Sequence, residues 1–233
     1  MNDSGFGRLV GVLLSPEKTF RSIAERPTWL APLLVLMVLN TAVGYLVNQR
    51  IDVEQMVRQQ MEQRNQEVSQ EQLDQAVGMA EKLGPVMTVV SGLVFAPAIY
   101  LILAAVFMSI VRLAGSEIDF QRSLSVFLYG MMPWVLYSLL ALPIILSRES
   151  LDPEAAQSGV LMSNLGAFAP EDAGVVVKGL LSSLDAFSVW TLILLILGYR
   201  VVGRISTGAS AAVVLTLWLL YVAGKVGLLY AFS

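Results

Sequence analysis

A single cation inside a long apolar stretch is the residue of this chain best placed to do chemistry. Lys225 lies within the stretch 208–232, eight residues before the C-terminus. An ionisable side chain inside a membrane helix is a functional candidate by default. At about 12 Å from the outer end of its helix, Lys225 can also snorkel to the headgroups or pair with Asp185. These two structural roles stand beside a role in transport or catalysis.

Two further polar features occur near or within apolar stretches. Asn40 lies in the middle of the stretch 28–47, and we expect its amide to bond another helix rather than a substrate. Glu117 and Asp119 form a carboxylate pair in a short connection. No base, metal-ligand spacing or phosphate loop accompanies the pair, so we expect a solvated turn.

The chain contains no histidine and no cysteine. This excludes Ser-His-Asp triads, Cys-His dyads, histidine-ligated zinc and thiolate clusters. No predicted span contains Asp or Glu, which leaves Lys225 as the only candidate base within the spans. We therefore predict a protein that is not an enzyme and that uses no cofactor and no metal.

The elements that carry these residues are predicted to be membrane helices. The 233 residues are 56% hydrophobic and 14% charged, against about 25% charged in soluble domains. The net charge of −3 gives no attraction to nucleic acid. Five stretches suffice to cross about 30 Å of hydrocarbon, so the predicted fold is an all-α integral membrane bundle of five transmembrane helices. The spans are 28–47, 85–111, 124–146, 186–202 and 208–232.

Charges in the connections are sorted by side. The N-terminal segment and the second and fourth connections carry eight Lys or Arg against five acids, whereas the other two connections carry six against 13. The positive-inside rule therefore predicts a cytoplasmic N-terminus and an extracytoplasmic C-terminus, in the cell (inner) membrane.

The segment 1–27 is predicted to be a cytoplasmic amphipathic unit in front of a transmembrane domain at 28–233. Ser15 is placed to cap a helix that has Pro16 in its first position and ends before Pro27. Its apolar residues include Phe20 and Ile23. We expect it to lie in the membrane interface, where Trp29 joins the aromatic belt.

The extracytoplasmic segment 48–84 is polar and prone to form helices. Ser69 and Gln72 resemble a capping box, which divides the segment into two helices. The two helices are interpreted as extensions of the first and second spans that form a hairpin outside the membrane. A partner-binding or lid element is the alternative. The segment 147–185 is predicted to contain short interfacial helices.

Two groups of residues resemble prokaryotic members of the Yip-type domain family, the Ypt/Rab-interacting membrane proteins. The first group opens the chain and leads into the first span, and the second surrounds the start of the third span. The resemblance covers almost the whole chain. The first group is Pro16, Phe20, Ile23, Pro27, Trp29 and Pro32; the second is Asp119, Phe120, Tyr129, Gly130 and Pro133.

The resemblance implies contact with other membrane proteins. Eukaryotic relatives partner Rab GTPases in vesicle traffic through an Asp-Leu-Tyr-Gly-Pro motif. This chain lacks that motif, because Phe127 precedes Leu128 and Met131 follows Gly130. Some bacterial relatives are similar to accessory subunits encoded with ABC-type exporters. No catalytic residue is implied.

We therefore predict a multi-pass scaffold, adaptor or accessory subunit. Its partners are the lipid bilayer and other membrane proteins, either a second copy or an ABC-type transporter, and not nucleic acid. The alternative is a small transporter or channel with Lys225 and Asn40 in its pathway. Such a protein would normally show several inward charges or inverted repeats.

Overall fold

The fold is known from a computed structural model, which describes residues 5–63, 69–151, 153, 160–170 and 173–231. In those ranges the chain is almost entirely helical. It forms no strand, and pairing between extended residues is limited to two isolated bridges, Ile51–Leu151 and Asn164–Asp185. Five of the helices are long and apolar enough to cross a membrane. The all-α prediction with five spans is confirmed.

The N-terminal segment forms two short helices, α1 (Gly5–Leu14) and α2 (Pro16–Glu25). Pro16 occupies the start of α2, as predicted, and the helix ends before Pro27. The Ser15 side chain makes no capping bond, contrary to expectation. Its carbonyl instead accepts bonds from the amide and the hydroxyl of Thr19, each at 3.1 Å.

The first span is α3 (Leu30–Asn48), and α4 (Val53–Gln63) follows it after a short turn. The second span is one continuous helix, Gln70–Leu113. It consists of α5 (Gln70–Val90), a π-helical turn (Ser91–Phe95) and α6 (Ala96–Leu113). The predicted capping box of Ser69 and Gln72 is present at its start. The π-helical turn lies just before Pro97, which lacks an amide donor and crowds the preceding helical turn.

The remaining spans follow the predicted bounds closely. The third is α7 (Phe120–Gly130) followed by α8 (Met132–Ser147), with Pro133 in the first turn of α8. A 3₁₀ turn (Leu165–Phe168) and α9 (Val175–Ser183) precede the fourth span, α10 (Ala186–Gly203). The fifth is α11 (Thr207–Ala231), and predicted span residue 232 lies outside the described ranges.

The largest hydrophobic core joins α1 and α2 to all five spans, with most of its buried members on the second, third and fourth. Here the rings of Phe107 and Tyr199 stack with centroids 5.0 Å apart and planes 10° apart. The Ser123 hydroxyl donates to the Ala104 carbonyl at 2.8 Å. We call this end of the bundle the α2 end; Lys225 lies toward the opposite end.

Candidate functional site

The strongest candidate for a functional site is a cavity of about 430 Å³ among the last four spans and α9. Its walls are mainly aromatic and aliphatic, with a few hydroxyls and one cation. Two of its lining residues, Leu103 on the second span and Tyr221 on the fifth, are exposed. The lining comprises Tyr100, Leu103, Phe107, Phe127, Met131, Trp134, Ser182, Ser183, Ser188, Thr191, Leu192, Leu195, Val214, Leu217, Trp218, Tyr221 and Lys225.

Lys225 supplies the positive charge of the cavity. Its Nζ donates to the hydroxyl of Ser182 at 3.0 Å and to that of Ser183 at 3.3 Å. Both serines lie at the C-terminal end of α9. The alternative in which Lys225 pairs with Asp185 is therefore corrected, because the ammonium group lies on hydroxyls rather than on that carboxylate.

Asp185 has a structural place at the start of the fourth span. Its carboxylate accepts bonds from the amides of Phe187 at 2.7 Å and Ser188 at 3.3 Å, and so caps the helix. It also accepts a short bond from the hydroxyl of Ser163. The buried carboxylate is thus satisfied by the N-terminus of its own helix and by the preceding loop.

Thr191 is the polar group that the local structure leaves unsatisfied. Its side chain is buried and lines the cavity, yet within the described ranges its Oγ1 has no hydrogen-bond partner. A threonine in a helix commonly bonds the carbonyl one turn back. An unpaired buried hydroxyl is costly, and Thr191 carries this cost in the wall of the cavity.

Asn40 joins the first span to the second. Its Nδ2 donates to the Tyr100 hydroxyl at 2.8 Å. Tyr100 also contributes to the cavity wall, whereas Asn40 faces a different space between the first two spans. The two polar residues singled out within the spans, Asn40 and Lys225, therefore do not line one common pathway through the described structure.

The first group of family residues fixes α2 to the bundle. Phe20 and Ile23 are fully buried, and Pro32 is buried in the first span. Phe20 packs on Gly198 of the fourth span, where an added Cβ would lie 2.9 Å from a ring carbon. The half-buried Pro27 and Trp29 form the connection between α2 and the first span.

The second group shapes the start of the third span. Asp119 caps α7 through the Arg122 amide at 2.8 Å and also pairs with the Arg122 side chain, whose Nε donates to the Ala24 carbonyl of α2 at 2.9 Å. Tyr129 and Pro133 are buried, and Gly130 packs against Leu195. Phe120 is partly exposed, and Glu117 is exposed in the turn.

Glu17 links α2 electrostatically to the fourth span. Its Oε1 lies 2.8 Å from Arg21 Nη2 and 3.1 Å from Arg200 Nη2. The hydrogen bond from Arg21 and the charge of Arg200 hold the pKa of Glu17 below its usual 4.5. One exposed carboxylate on α2 thus holds an arginine of its own helix and an arginine of the fourth span.

No metal centre is visible in the described part of the chain, where no three His, Cys, Asp or Glu residues cluster. The Lys225 ammonium group is a donor toward an anion, whereas the hydroxyls of Ser182 and Ser183 already donate to the Gly179 carbonyl.

Sequence reasoning missed the hydroxyl partners of Lys225 and the role of Thr191. Ser182 and Ser183 lie 43 and 42 residues before Lys225, and nothing in helical spacing brings them to it. A weak signal existed, because two adjacent serines end an apolar helix just before the cap residue Asp185.

The motif residues and the five spans agree with the comparisons to known proteins. The Yip1 domain family matches residues 10–228. The protein named Membrane protein YknW of Bacillus subtilis (strain 168) is 25% identical over 205 residues, which cover 87% of this chain and 81% of that protein. No solved structure matches the chain. This chain is a multi-pass membrane protein, and it belongs to the Yip1 domain family.

Proposed function

We propose that the chain is a non-enzymatic accessory subunit or adaptor for other proteins of the cell membrane, with an ABC-type exporter as the specific candidate. Membership of a family of membrane proteins supports the general part. The similarity of bacterial relatives to exporter-associated subunits motivates the specific part. In this proposal the N-terminus and the amphipathic unit 1–27 are cytoplasmic, followed by the transmembrane domain 28–233.

The observation that carries the proposal is how the bundle uses its interior polar groups. Asn40 bonds Tyr100, and Ser123 bonds the Ala104 carbonyl across two spans. The Ser210 hydroxyl donates to the Ile196 carbonyl at 2.8 Å. Bonds of this kind hold membrane helices together and leave few groups for a solute. The α2 end is also packed with fully buried side chains. This favours a protein that works through contact rather than conduction.

The second and fifth spans keep apolar surface outside the bundle. In the most apolar 18 residues of the second span 17% of the residues are buried, and in those of the fifth span 11% are. Ile99 and Ile102 are 52% and 61% exposed on the second span. Such faces contact lipid or a partner helix, and the second span, at 44 residues, is longer than the roughly 20 residues needed to cross the hydrocarbon.

Site-specific crosslinking tests the proposal, because the chain has no native cysteine. We expect Ile102→Cys to give a discrete adduct in native membranes with a bifunctional thiol reagent, and the partner to be identified by mass spectrometry as an ABC-type transporter subunit. Ala104→Cys, at a buried position two residues away, is the matched control and should give none. A strictly monomeric particle that forms no adduct at Ile99 or Ile102 would contradict the adaptor role.

The second candidate is a small transporter, and the cavity with its cation is the observation that favours it. Purified chain reconstituted in liposomes would then move an anionic solute, and Lys225→Met would abolish the flux. Under the adaptor proposal, liposomes with wild-type chain and with Lys225→Met have the same permeability as empty ones.

Orientation is tested separately. With a cytoplasmic N-terminus and five spans, the C-terminus is extracytoplasmic. A reporter that fluoresces only in the cytoplasm should therefore be dark when fused after Ser233, while an alkaline phosphatase fused there should be active. Cytoplasmic fluorescence would overturn the five-span topology.

A further inference from the structure

We propose that the cavity beside Lys225 binds a phospholipid with an anionic headgroup. One acyl chain occupies the apolar space, and the phosphate lies on the Lys225 ammonium. This site goes beyond the adaptor role and does not depend on it.

The charge of the site calls for an anion. In the described ranges the Lys225 ammonium group donates to two neutral hydroxyls, those of Ser182 and Ser183. The nearby carboxylate of Asp185 is already held by two backbone amides and a serine. A cation within a membrane span is normally balanced by an opposite charge or reaches the headgroups. A phosphate at the cavity mouth supplies both.

The walls fit an acyl chain. The volume of about 430 Å³ falls within the roughly 300–1,000 Å³ of ligand pockets. Most of the lining is apolar, and it includes Trp134, Trp218 and Tyr221, whose rings offer large apolar surfaces to an acyl chain. Leu103 and Tyr221 are the exposed members of the lining on the second and fifth spans, and in the proposal a lipid tail enters from the bilayer on this side without crossing water.

Thr191 provides an independent indication that the cavity is occupied. The residue lines the same space, and its buried Oγ1 has no partner within the described structure. In the proposal a rotation about the Cα–Cβ bond turns this hydroxyl toward an ester or phosphate oxygen of the lipid, which removes the cost of leaving it unpaired. Charge, shape and an unsatisfied donor thus meet in one cavity.

The test uses the full chain, purified in detergent and stripped of lipid. Native mass spectrometry measures binding of phosphatidylglycerol and of phosphatidylcholine with identical acyl chains. We expect the wild type to prefer phosphatidylglycerol. Lys225→Met should weaken the binding of phosphatidylglycerol about tenfold and remove the preference for it over phosphatidylcholine. Lys82→Met removes an exposed lysine from the second span and should bind as the wild type does.

A steric pair tests the acyl chain. Leu217→Trp fills the cavity wall and should reduce binding of both lipids, whereas Leu219→Trp, which points away and is 58% exposed, should not. Inorganic phosphate at the same concentration should not displace the lipid, since a free anion lacks the acyl chain. Displacement by phosphate would instead identify the site as one for free anions and overturn the lipid assignment.

Folding is checked by the melting temperature of each variant. Equal binding of the two lipids by the wild type overturns the proposal, as does an unchanged preference in a folded Lys225→Met. A folded Leu217→Trp that binds phosphatidylglycerol like the wild type places the acyl chain elsewhere and also overturns it. Because none of these readouts involves a protein partner, failure here is distinct from failure of the adaptor role.

Discussion

The hydroxyl of Tyr129 lies 3.1 Å from Oγ1 of Thr28, a residue 101 positions earlier in the chain. Tyr129 donates its own proton to the Gly5 carbonyl at 3.2 Å, so Thr28 acts as donor to Tyr129. Arg8 completes the group by donating to the Arg26 carbonyl at 2.6 Å and to Thr28 at 3.1 Å. The third span is thereby tied to α1 and to the connection between α2 and the first span.

The bond between these two residues can be measured by a double-mutant cycle. We expect Tyr129→Phe and Thr28→Val each to lower the free energy of unfolding, and the pair to cost less than the sum of the two. A coupling of about 1 kcal/mol is expected for one such bond. Thermal unfolding in detergent gives the values. Strictly additive effects would show that the two hydroxyls do not interact.

Removal of the Phe20 ring should destabilise the bundle. Phe20 is fully buried between α2 and the third and fourth spans, so Phe20→Ala leaves a cavity. Such truncations cost roughly 3 kcal/mol or more, and the melting temperature should fall by several degrees. Phe6→Ala is the matched control, since Phe6 is 68% exposed on α1. We expect that variant to melt like the wild type, and an equal loss in both would contradict the packing described.

Close packing of the first two spans gives a sharper test at Gly92. A Cβ there would lie 2.1 Å from Thr41 Oγ1, so Gly92→Ala must push the spans apart. A cost of about 1–3 kcal/mol is expected from such overpacking. Gly224→Ala on the fifth span meets no atom within 4 Å and should be neutral or slightly stabilising. The melting temperatures of the two variants should therefore move in different directions or by clearly different amounts.

The sequence was sufficient for the spans because hydrophobic length and helix caps are local signals. The Ser69 capping box and the end of α2 before Pro27 were both predictable in this way. The cavity was not, because Lys225, Ser183 and Thr191 are brought together by the packing of three separate helices. The pairing of Lys225 with Asp185 failed for a local reason: a carboxylate just before a helix bonds the free amides of the first turn.

Acidification should loosen the contact between α2 and the fourth span. The hydrogen bond from Arg21 and the charge of Arg200 lower the pKa of Glu17 below 4.5 in the folded chain. A lowered folded pKa means that this contribution is complete above the unfolded value and is lost as the pH falls through the folded one. Stability from Glu17 should therefore be constant from pH 7 to about 5 and decline below about 4.5.

The comparison that isolates this contribution is between the wild type and Glu17→Gln. Melting temperatures recorded from pH 7 to about 3.5 should converge for the two proteins at the acidic end, after a small difference at neutral pH. The difference is small because the paired side chains are partly exposed and screened by salt. Arg200→Gln removes the partner on the fourth span and should reduce the same difference. A gap that stays constant down to the lowest pH would mean that the ionised Glu17 does not stabilise the docked α2.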